Sequence, residues 1–309
     1  MRFLILGAGA IGGYFGARLQ QAGNDVTFLV RPARQKLLAE QGLKITSPVG
    51  AFQGPVKTLT AAGPFGSYDV VILTCKAYDL GSAIEDIRGA VSSSTAILPL
   101  LNGISHMDVL NLEFGKERVL GGVARIQVGL TAGGGILHVG DWRSIIVGEQ
   151  SGEITERVTA LYAAFPAESV SAEAVPDIML KLWEKVVQLG TGAGAASLLR
   201  GRVDEIVATP GGSDFLLALL DLNAQVAEAE GFPPSVEYMA NFRNVFSTMK
   251  DVYEPSMLRD IERHNPTEGQ HIVGFMLARA RAHGIGAKLL EIVDLHLRVY
   301  ERRRETGRL

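Results

Sequence analysis

A glycine-rich hexapeptide near the amino terminus constrains the fold of this chain more than any other feature. Its residues are Gly7, Ala8, Gly9, Ala10, Ile11 and Gly12. The hexapeptide follows a short apolar run, 2–6, and precedes a stretch with a helical pattern, 13–22. A strand, Gly-x-Gly-x-x-Gly and a helix in this order are typical of a βαβ unit that binds a dinucleotide. We expect the first glycine to permit a tight turn, the second to let the backbone approach a pyrophosphate, and the third to let helix and strand pack closely.

The first half of the chain alternates short apolar runs with helical patterns. The predicted strands are 2–6, 25–30, 69–74 and 96–100, and the predicted helices between them include 13–22, 33–41 and 81–90. This alternation predicts a parallel sheet with helices on both faces. Further strands at 123–130, 136–139 and 144–147 are separated by glycine-rich turns at 132–135 and at Gly140-Asp141. We expect these strands to form an antiparallel extension of the same sheet.

Strand patterns stop after about residue 170, and helical periodicity continues to the carboxyl terminus. The helical segments are 178–188, 214–230, 235–248, 270–283 and 288–304. The sequence therefore predicts an α/β Rossmann domain over residues 1–170 and an all-helical domain over residues 171–309. A ligand is expected in the cleft between the domains, at the carboxyl ends of the parallel strands.

Composition excludes several classes of partner. The formal net charge of -3 gives no basic face, so nucleic acid is not an expected ligand. The single cysteine, Cys75, cannot form a disulfide framework, which fits a reducing compartment. No run approaches 18 uninterrupted apolar residues, so a membrane span is not expected. We therefore expect a soluble cytoplasmic protein that acts on a small molecule and has no metal site.

The end of the second predicted strand bears on the choice of nicotinamide cofactor. Sites for NAD usually place an acidic residue there to hold the ribose 2′-hydroxyl. This strand ends at Arg31 instead, Arg34 and Lys36 follow, and Asp25 lies at the opposite end. A guanidinium can bind a 2′-phosphate with two hydrogen bonds, so the sequence favours NADP(H). The alternative is that Arg31 is a solvated loop charge.

A nicotinamide enzyme that reduces a carbonyl needs a proton donor for the developing alkoxide. No Tyr-x-x-x-Lys pair and no Cys/His cluster is present, which leaves a lysine or histidine. Lys76 and Asn102 each follow a parallel strand, and Lys181 and Lys185 lie one helical turn apart. Lysine serves as an acid near neutral pH when desolvation lowers its pKa. Each candidate has an ordinary alternative: a solvated loop lysine, an Asn-Gly turn, or two snorkelling lysines.

Taken together, these motifs resemble the ketopantoate reductases (2-dehydropantoate 2-reductases), within the 6-phosphogluconate-dehydrogenase-like group. The similarity runs nearly end to end. Besides the glycine hexapeptide, it includes Arg31, Cys75-Lys76-Ala77-Tyr78, Asn102-Gly103, Gly121-Gly122, Ile146-Val147-Gly148-Glu149, Leu182-Trp183-Glu184-Lys185, Pro255-Ser256-Met257-Leu258-Arg259-Asp260-Ile261, Thr267-Glu268 and Ala282-His283-Gly284-Ile285.

The resemblance implies roles for individual residues. Lys185 would be the general acid that protonates the ketone oxygen as NADPH delivers hydride, and Glu268 would lie near the lysine and the substrate hydroxyl. Ser256 would bind the substrate. Lys76 and Asn102 would line the junction of cofactor and substrate, and both are expected to contact each of them.

The chain also departs from the family pattern. Asparagines usually follow the catalytic lysine at four and eight positions, where this chain has Leu189 and Ala193. Gln270 stands where the family often has an aspartate, two positions after the glutamate. Lys181, unlike Lys185, is expected to be structural. The segment 190–195 is rich in glycine, so it must either pack very closely or be irregular.

Three functional hypotheses follow. The first is NADPH-dependent reduction of a 2-oxo acid, foremost ketopantoate to pantoate in pantothenate biosynthesis. The second is a paralogous reductase of a different, less polar ketone, because an apolar pocket loses discrimination for hydroxyl groups. The third is a non-catalytic NADP-binding regulator. The sequence does not determine the oligomeric state, for which a homodimer is one candidate.

Overall fold

The computed structural model describes all 309 residues and divides them into two compact units. One unit comprises residues 1–101 and 106–178, and the other comprises residues 102–105 and 179–309. The first is a Rossmann-like α/β unit and the second is helical, which confirms the predicted fold class. None of the helices is both long enough and apolar enough to cross a bilayer.

The first unit contains ten strands and five helices. In chain order they are β1 (Arg2–Leu6), α1 (Ala10–Gln21), β2 (Asp25–Leu29), α2 (Pro32–Gln41), β3 (Leu43–Thr46), β4 (Phe52–Gly54), β5 (Lys57–Leu59), β6 (Val70–Leu73), α3 (Leu80–Ile87), β7 (Ala96–Pro99), α4 (His106–Phe114), β8 (Gly121–Leu130), β9 (Ile136–Gly148), α5 (Glu156–Ala163) and β10 (Ser171–Ala174). Short 3₁₀ turns precede α3 at Ala77–Asp79 and follow it at Arg88–Ala90.

A five-stranded parallel sheet forms the framework of this unit. Its strand order is β5-β2-β1-β6-β7. Leu6 is in register with Leu29 on β2 and with Leu73 on β6, so these strands end at the same edge of the sheet. The central strands are continuous apolar runs because both of their faces are covered, and β6 is buried throughout.

The predicted antiparallel strands are present, but most of their pairing lies in a second sheet. That sheet has the order β10-β9-β3-β4, and β8 pairs with β9. Pairing with the first sheet is limited to one bridge, which joins Val119, just before β8, to Ile97 of the edge strand β7. A Cβ atom on Gly122 would lie 2.6 Å from the Pro99 carbonyl oxygen, so β8 crosses tightly over the end of β7 and then leaves it.

The predicted turn at Gly140-Asp141 is wrong, because both residues lie within the single strand β9. The pairing of β8 and β9 shifts register between Ile126 and Val128, and the extra residues of β9 bulge out. Gly140 has a φ of +71°, which suits a bulge as well as a turn. The ring of His138 closes the bulge, with Nε2 lying 2.9 Å from the Trp142 carbonyl oxygen.

Strand β10 was missed by the sequence pattern, which predicted no strand beyond residue 170. Its four residues, Ser171–Ala174, are small or polar and lack the branched side chains typical of strands. They pair in parallel with residues 144–147 of β9. Backbone pairing rather than side-chain propensity therefore determines this strand.

The second unit is built from seven helices. They are α6 (Ile178–Leu199), α7 (Val203–Ala208), α8 (Gly212–Ala229), α9 (Val236–Thr248), α10 (Ser256–Glu262), α11 (Phe275–Ala282) and α12 (Lys288–Glu305). The first residue of α6 is grouped with the first unit. A π-turn at Gln270–Gly274 leads into α11, where the sequence pattern predicts a regular helix from residue 270.

The glycine-rich segment of α6 is helical and closely packed. A Cβ atom on Gly190 would lie 2.9 Å from Oδ1 of Asn223, and one on Gly192 would lie 3.4 Å from Cε1 of Phe246. Thr191 and Asn223 are fully buried and are joined by a 3.1 Å hydrogen bond. The helix-breaking tendency of these glycines is offset because α8 and α9 approach the backbone of α6.

Candidate active site

The first half of the glycine hexapeptide, residues 7–9, forms the turn between β1 and α1, and its second half, residues 10–12, is the first turn of α1. Gly7 has a φ of +95°, a conformation that favours glycine, and its N–H donates to the Leu29 carbonyl oxygen over 2.9 Å. Helix α1 begins at Ala10, with Gly9 as its N-cap residue. No side chain caps this helix and its first turn holds no acidic residue, so its N–H groups are suited to an anion.

Gly12 and Gly9 are required for different reasons. A Cβ atom on Gly12 would lie 2.2 Å from the Gly7 carbonyl oxygen and 2.4 Å from Oγ1 of Thr74, so close packing of α1 excludes a side chain. A Cβ atom on Gly9 would meet no protein atom within 4 Å. Nothing inside the protein therefore requires glycine at position 9, and the bare backbone there fits the approach of a pyrophosphate.

Two arginines near the end of β2 have different surroundings. The Arg31 side chain is 82% exposed, and its guanidinium lies 3.4 Å from Oδ2 of Asp79. Arg34 instead donates from Nε and Nη2 to the Ala8 carbonyl oxygen over 3.1 and 2.8 Å, and from Nη1 to the Gly134 carbonyl oxygen over 2.8 Å. Arg34 thus holds the glycine turn, while Arg31 remains accessible to a ligand.

Lys76 lies just past the carboxyl end of β6, next to the end of β1. It precedes the 3₁₀ turn Ala77–Asp79 and is half-buried. Two residues earlier, Thr74 donates a 2.8 Å hydrogen bond to the Leu6 carbonyl oxygen. This bond ties β6 to the start of the glycine turn, so the position of Lys76 is coupled to the predicted dinucleotide site.

Asn102 and Glu268 are brought together in the second unit. Nδ2 of Asn102 donates to Oε2 of Glu268 over 3.2 Å, and Glu268 is 3% exposed. The Glu268 carbonyl oxygen accepts from the N–H groups of His271 and Ile272 at the π-turn. The preceding residue, Thr267, donates from its backbone N–H and its Oγ1 to Oε1 of Glu301 over 2.7 and 2.8 Å. The carboxylate therefore sits on a well-fixed backbone.

Lys185 lies within α6 and is 8% exposed. The preceding tryptophan fixes this part of the helix, because Trp183 stacks on Phe232 and contacts Phe275, each with ring centroids 5.9 Å apart. Lysine is rarely buried to this extent in proteins without a structural or functional reason. Its burial, on a helix anchored by aromatic packing, makes it a strong candidate for chemistry.

The neighbouring residues of the same motif are structural. Glu184 is 1% exposed and accepts hydrogen bonds from the backbone N–H and the Oγ of Ser235 over 3.1 and 2.9 Å. Lys181 pairs with the same carboxylate at 3.2 Å. This pairing supports the prediction that Lys181 is structural, since its ammonium neutralises a buried charge.

Ser256, the remaining predicted site residue, lies in the helical unit. The three positions that depart from the family pattern, Leu189, Ala193 and Gln270, lie there too. Ser256 is half-buried and begins α10, directly after Pro255. Leu189 is half-buried and Ala193 is buried. Gln270 donates from Nε2 to Oδ1 of Asp294 over 2.8 Å, so it anchors the π-turn to α12.

Three contributions to the site were missed from the sequence. The hydrogen bonds from Arg34 to Ala8 and from Thr74 to Leu6 depend on loop geometry. The one sequence signal is that Thr74 follows a buried strand. The third is a hydrogen bond between Gln188 of α6 and Tyr253 of the α9–α10 loop. The two residues are 65 positions apart, so no local pattern indicates the pair.

The α/β unit with its glycine turn, together with a helical unit holding a buried lysine and glutamate, defines a nicotinamide-dependent oxidoreductase. Family models agree with this class. The model described as ketopantoate reductase PanE/ApbA matches residues 3–152, and its carboxyl-terminal counterpart matches residues 177–301. The chain belongs to the ketopantoate reductase family, whose members are oxidoreductases acting on CH–OH groups.

Individual relatives cover nearly the whole chain. An uncharacterized oxidoreductase, YkpB, from Bacillus subtilis is 38% identical, over 97% of this chain and 99% of the relative. The crystal structure of 2-dehydropantoate 2-reductase from Geobacter metallireducens has a TM-score of 0.88 and 32% identity, and covers 96% of this chain and 99% of its own. A D-mandelate dehydrogenase solved with NADH and anilino(oxo)acetate shares the fold, with a TM-score of 0.87 and 23% identity over 99% of this chain and 100% of its own.

Proposed function

We propose that the protein is an NADPH-dependent reductase of a 2-oxo acid, and that 2-dehydropantoate, reduced to pantoate for pantothenate biosynthesis, is its foremost substrate. The burial of Lys185 carries this proposal, since a lysine 8% exposed shares its unit with Glu268, itself 3% exposed and bonded to Asn102. An ammonium group can deliver the proton that reduction of a carbonyl needs, and a fixed carboxylate can orient the ammonium group and the substrate.

In this proposal the nicotinamide, when bound, supplies hydride to the carbon of the ketone. Lys185 holds the proton that passes to the ketone oxygen, and its positive charge stabilises the alkoxide as it develops. Glu268, placed by Asn102, orients the ammonium group and the substrate. Ser256 donates a hydrogen bond to the substrate. Glu268 and Lys185 are thus the proposed catalytic residues.

The preference for NADPH is assigned to Arg31. Its side chain lies at the carboxyl end of β2 and is 82% exposed, and its only ion pair, with Asp79, is 3.4 Å long. Such exposed pairs are weak, so a 2′-phosphate can displace the carboxylate. The pyrophosphate is assigned to the backbone from Gly7 to Gly12, and Lys76 and Asn102 are assigned to the junction of cofactor and substrate.

A second candidate is a reductase of the same scaffold that acts on a less polar ketone. Leu189 and Ala193 favour it, because they lie four and eight positions after Lys185 on α6 and their side chains offer no hydrogen bond. A pocket lined by apolar groups discriminates weakly between a hydroxylated substrate and its deoxy analogue.

Steady-state reduction of 2-dehydropantoate and a panel of other 2-oxo acids, with NADPH as the reductant, tests the proposal. We expect 2-dehydropantoate to give the highest kcat/KM. Brisk reduction of another ketone with negligible turnover of 2-dehydropantoate would establish the second candidate. If no ketone is reduced and Lys185→Ala changes no measurable property, the protein is a non-catalytic NADP-binding regulator.

A further inference from the structure

A buried amide lies next to the proposed catalytic lysine on helix α6. Gln188 is three positions after Lys185, so the two side chains share one face of the helix. Gln188 is 9% exposed, and its Nε2 donates to the Tyr253 hydroxyl oxygen over 2.7 Å. A polar side chain this deeply buried beside a reactive group is expected to have a defined orientation.

Tyr253 is held in place at both its backbone and its side chain. Its N–H donates to Oδ1 of Asp204 over 3.1 Å, and its carbonyl oxygen accepts from the N–H of Val203 over 3.0 Å. A Cβ atom on Gly192 would lie 3.8 Å from Cε1 of Tyr253, so the ring lies close to the backbone of α6. Burial raises the pKa of the Tyr253 hydroxyl, which therefore stays neutral at physiological pH.

The bond to Tyr253 fixes which way the amide of Gln188 points. Its nitrogen is directed to the phenol, so its oxygen, Oε1, must point away from Tyr253. Oε1 of Gln188 is not among the fully buried side-chain atoms that lack a hydrogen-bond partner. The second unit thus presents an oriented hydrogen-bond acceptor on the Lys185 face of α6.

We propose that Gln188, held by Tyr253, is a specificity-determining residue that accepts a hydrogen bond from a hydroxyl group of the substrate. The inference rests on the proposed function, and it narrows the substrate class to hydroxylated 2-oxo acids. An amide oxygen accepts from a hydroxyl group and gains nothing from a methyl group at the same place. Gln188 thus supplies polarity that Leu189 and Ala193 do not.

Two substrates that differ by one oxygen atom test this role. 2-Dehydropantoate carries a hydroxymethyl group where trimethylpyruvate carries a methyl group. We expect the wild-type protein to prefer the hydroxylated acid in kcat/KM by roughly 10- to 100-fold. In Gln188→Met we expect the preference to fall to within about 3-fold, with kcat/KM for trimethylpyruvate unchanged, because methionine keeps the length but not the acceptor.

Two further variants make the test specific. Tyr253→Phe keeps the amide but frees it to rotate, so we expect an intermediate preference. Gln225→Met changes an exposed glutamine of α8 and should leave the preference unchanged. If Gln188→Met does not fold, as judged by thermal unfolding, the measurement on Tyr253→Phe decides alone.

The outcomes separate this inference from the proposed function. Equal losses on both substrates in Gln188→Met, or a wild-type protein that reduces both acids equally well, would overturn the role of Gln188 and leave a 2-oxo acid reductase. A wild-type protein that reduces neither acid would overturn both the proposed substrate class and the role of Gln188.

Discussion

Asn102 donates a hydrogen bond to the Glu268 carboxylate over 3.2 Å, although 166 positions separate the two residues. The next residue explains how they meet. Gly103 has a φ of +83°, and a Cβ atom there would lie 2.8 Å from the His271 carbonyl oxygen. The segment 102–105 therefore packs against the π-turn of the helical unit, although only two residues separate it from the end of strand β7. A side chain at position 103 would force the two apart.

The second and third glycines of the hexapeptide, Gly9 and Gly12, should respond differently to the same substitution. Gly12→Ala is expected to lower the free energy of unfolding by at least about 2 kcal/mol, because its Cβ meets backbone that cannot yield. Gly9→Ala should change it by less than about 0.5 kcal/mol, since no protein atom lies within 4 Å of that Cβ. Gly9→Ala should instead raise the KM for the cofactor. Denaturant unfolding and cofactor titration check both, and a destabilised Gly9→Ala protein would contradict the ligand-based explanation.

Arg31→Ala should raise the KM for NADPH by roughly 10- to 100-fold, because two charge-assisted hydrogen bonds to the 2′-phosphate are lost. The KM for NADH, which lacks that phosphate, should change by less than about 3-fold. Lys36→Ala is the matched control, since Lys36 is an exposed cation of α2 paired with Glu40 at 4.0 Å. Equal effects of Arg31→Ala on the two cofactors would remove the assignment.

Glu149→Gln should destabilise the first unit in a pH-dependent way. Burial would raise the pKa of Glu149, but hydrogen bonds from Arg157 and Thr155 outweigh it and the pKa is lowered overall. A carboxylate with a lowered pKa stabilises the fold above its unfolded pKa, and that stability is lost as pH falls through the folded value. Denaturant unfolding should show a loss of about 1–3 kcal/mol at pH 7. The difference from wild type should shrink below about pH 4, and a pH-independent difference would contradict this role.

The sequence predicted the parts of the molecule that depend on local chemistry. Residue type and spacing alone predict the turn that begins at Gly7, the apolar strands beside it and the helix anchored by Trp183. The turn predicted at Gly140 is wrong because a glycine with a positive φ suits a bulge as well as a turn. In the structure, Nε2 of His138 lies 2.9 Å from the Trp142 carbonyl oxygen across the bulge, a contact that the residue pattern does not indicate.

The polar contacts of the candidate site were less predictable, because they join distant segments. Nothing near Gln188 in the sequence indicates Tyr253, and nothing near Asn102 indicates Glu268. Arg34 shows the same limit. It lies three residues from Arg31 and has the same chemistry, yet it binds backbone carbonyl groups while Arg31 faces solvent.

The rate of hydride transfer in Lys185→Ala tests the central claim most directly. NADPH oxidation by 2-dehydropantoate should be followed in single turnovers, so that product release does not mask the chemical step. We predict a loss of roughly 10²- to 10⁴-fold relative to wild type, since general acid catalysis contributes about that much, with an unchanged Kd for NADPH. A loss of only a few-fold in a folded Lys185→Ala protein would contradict the account and assign the proton to another residue.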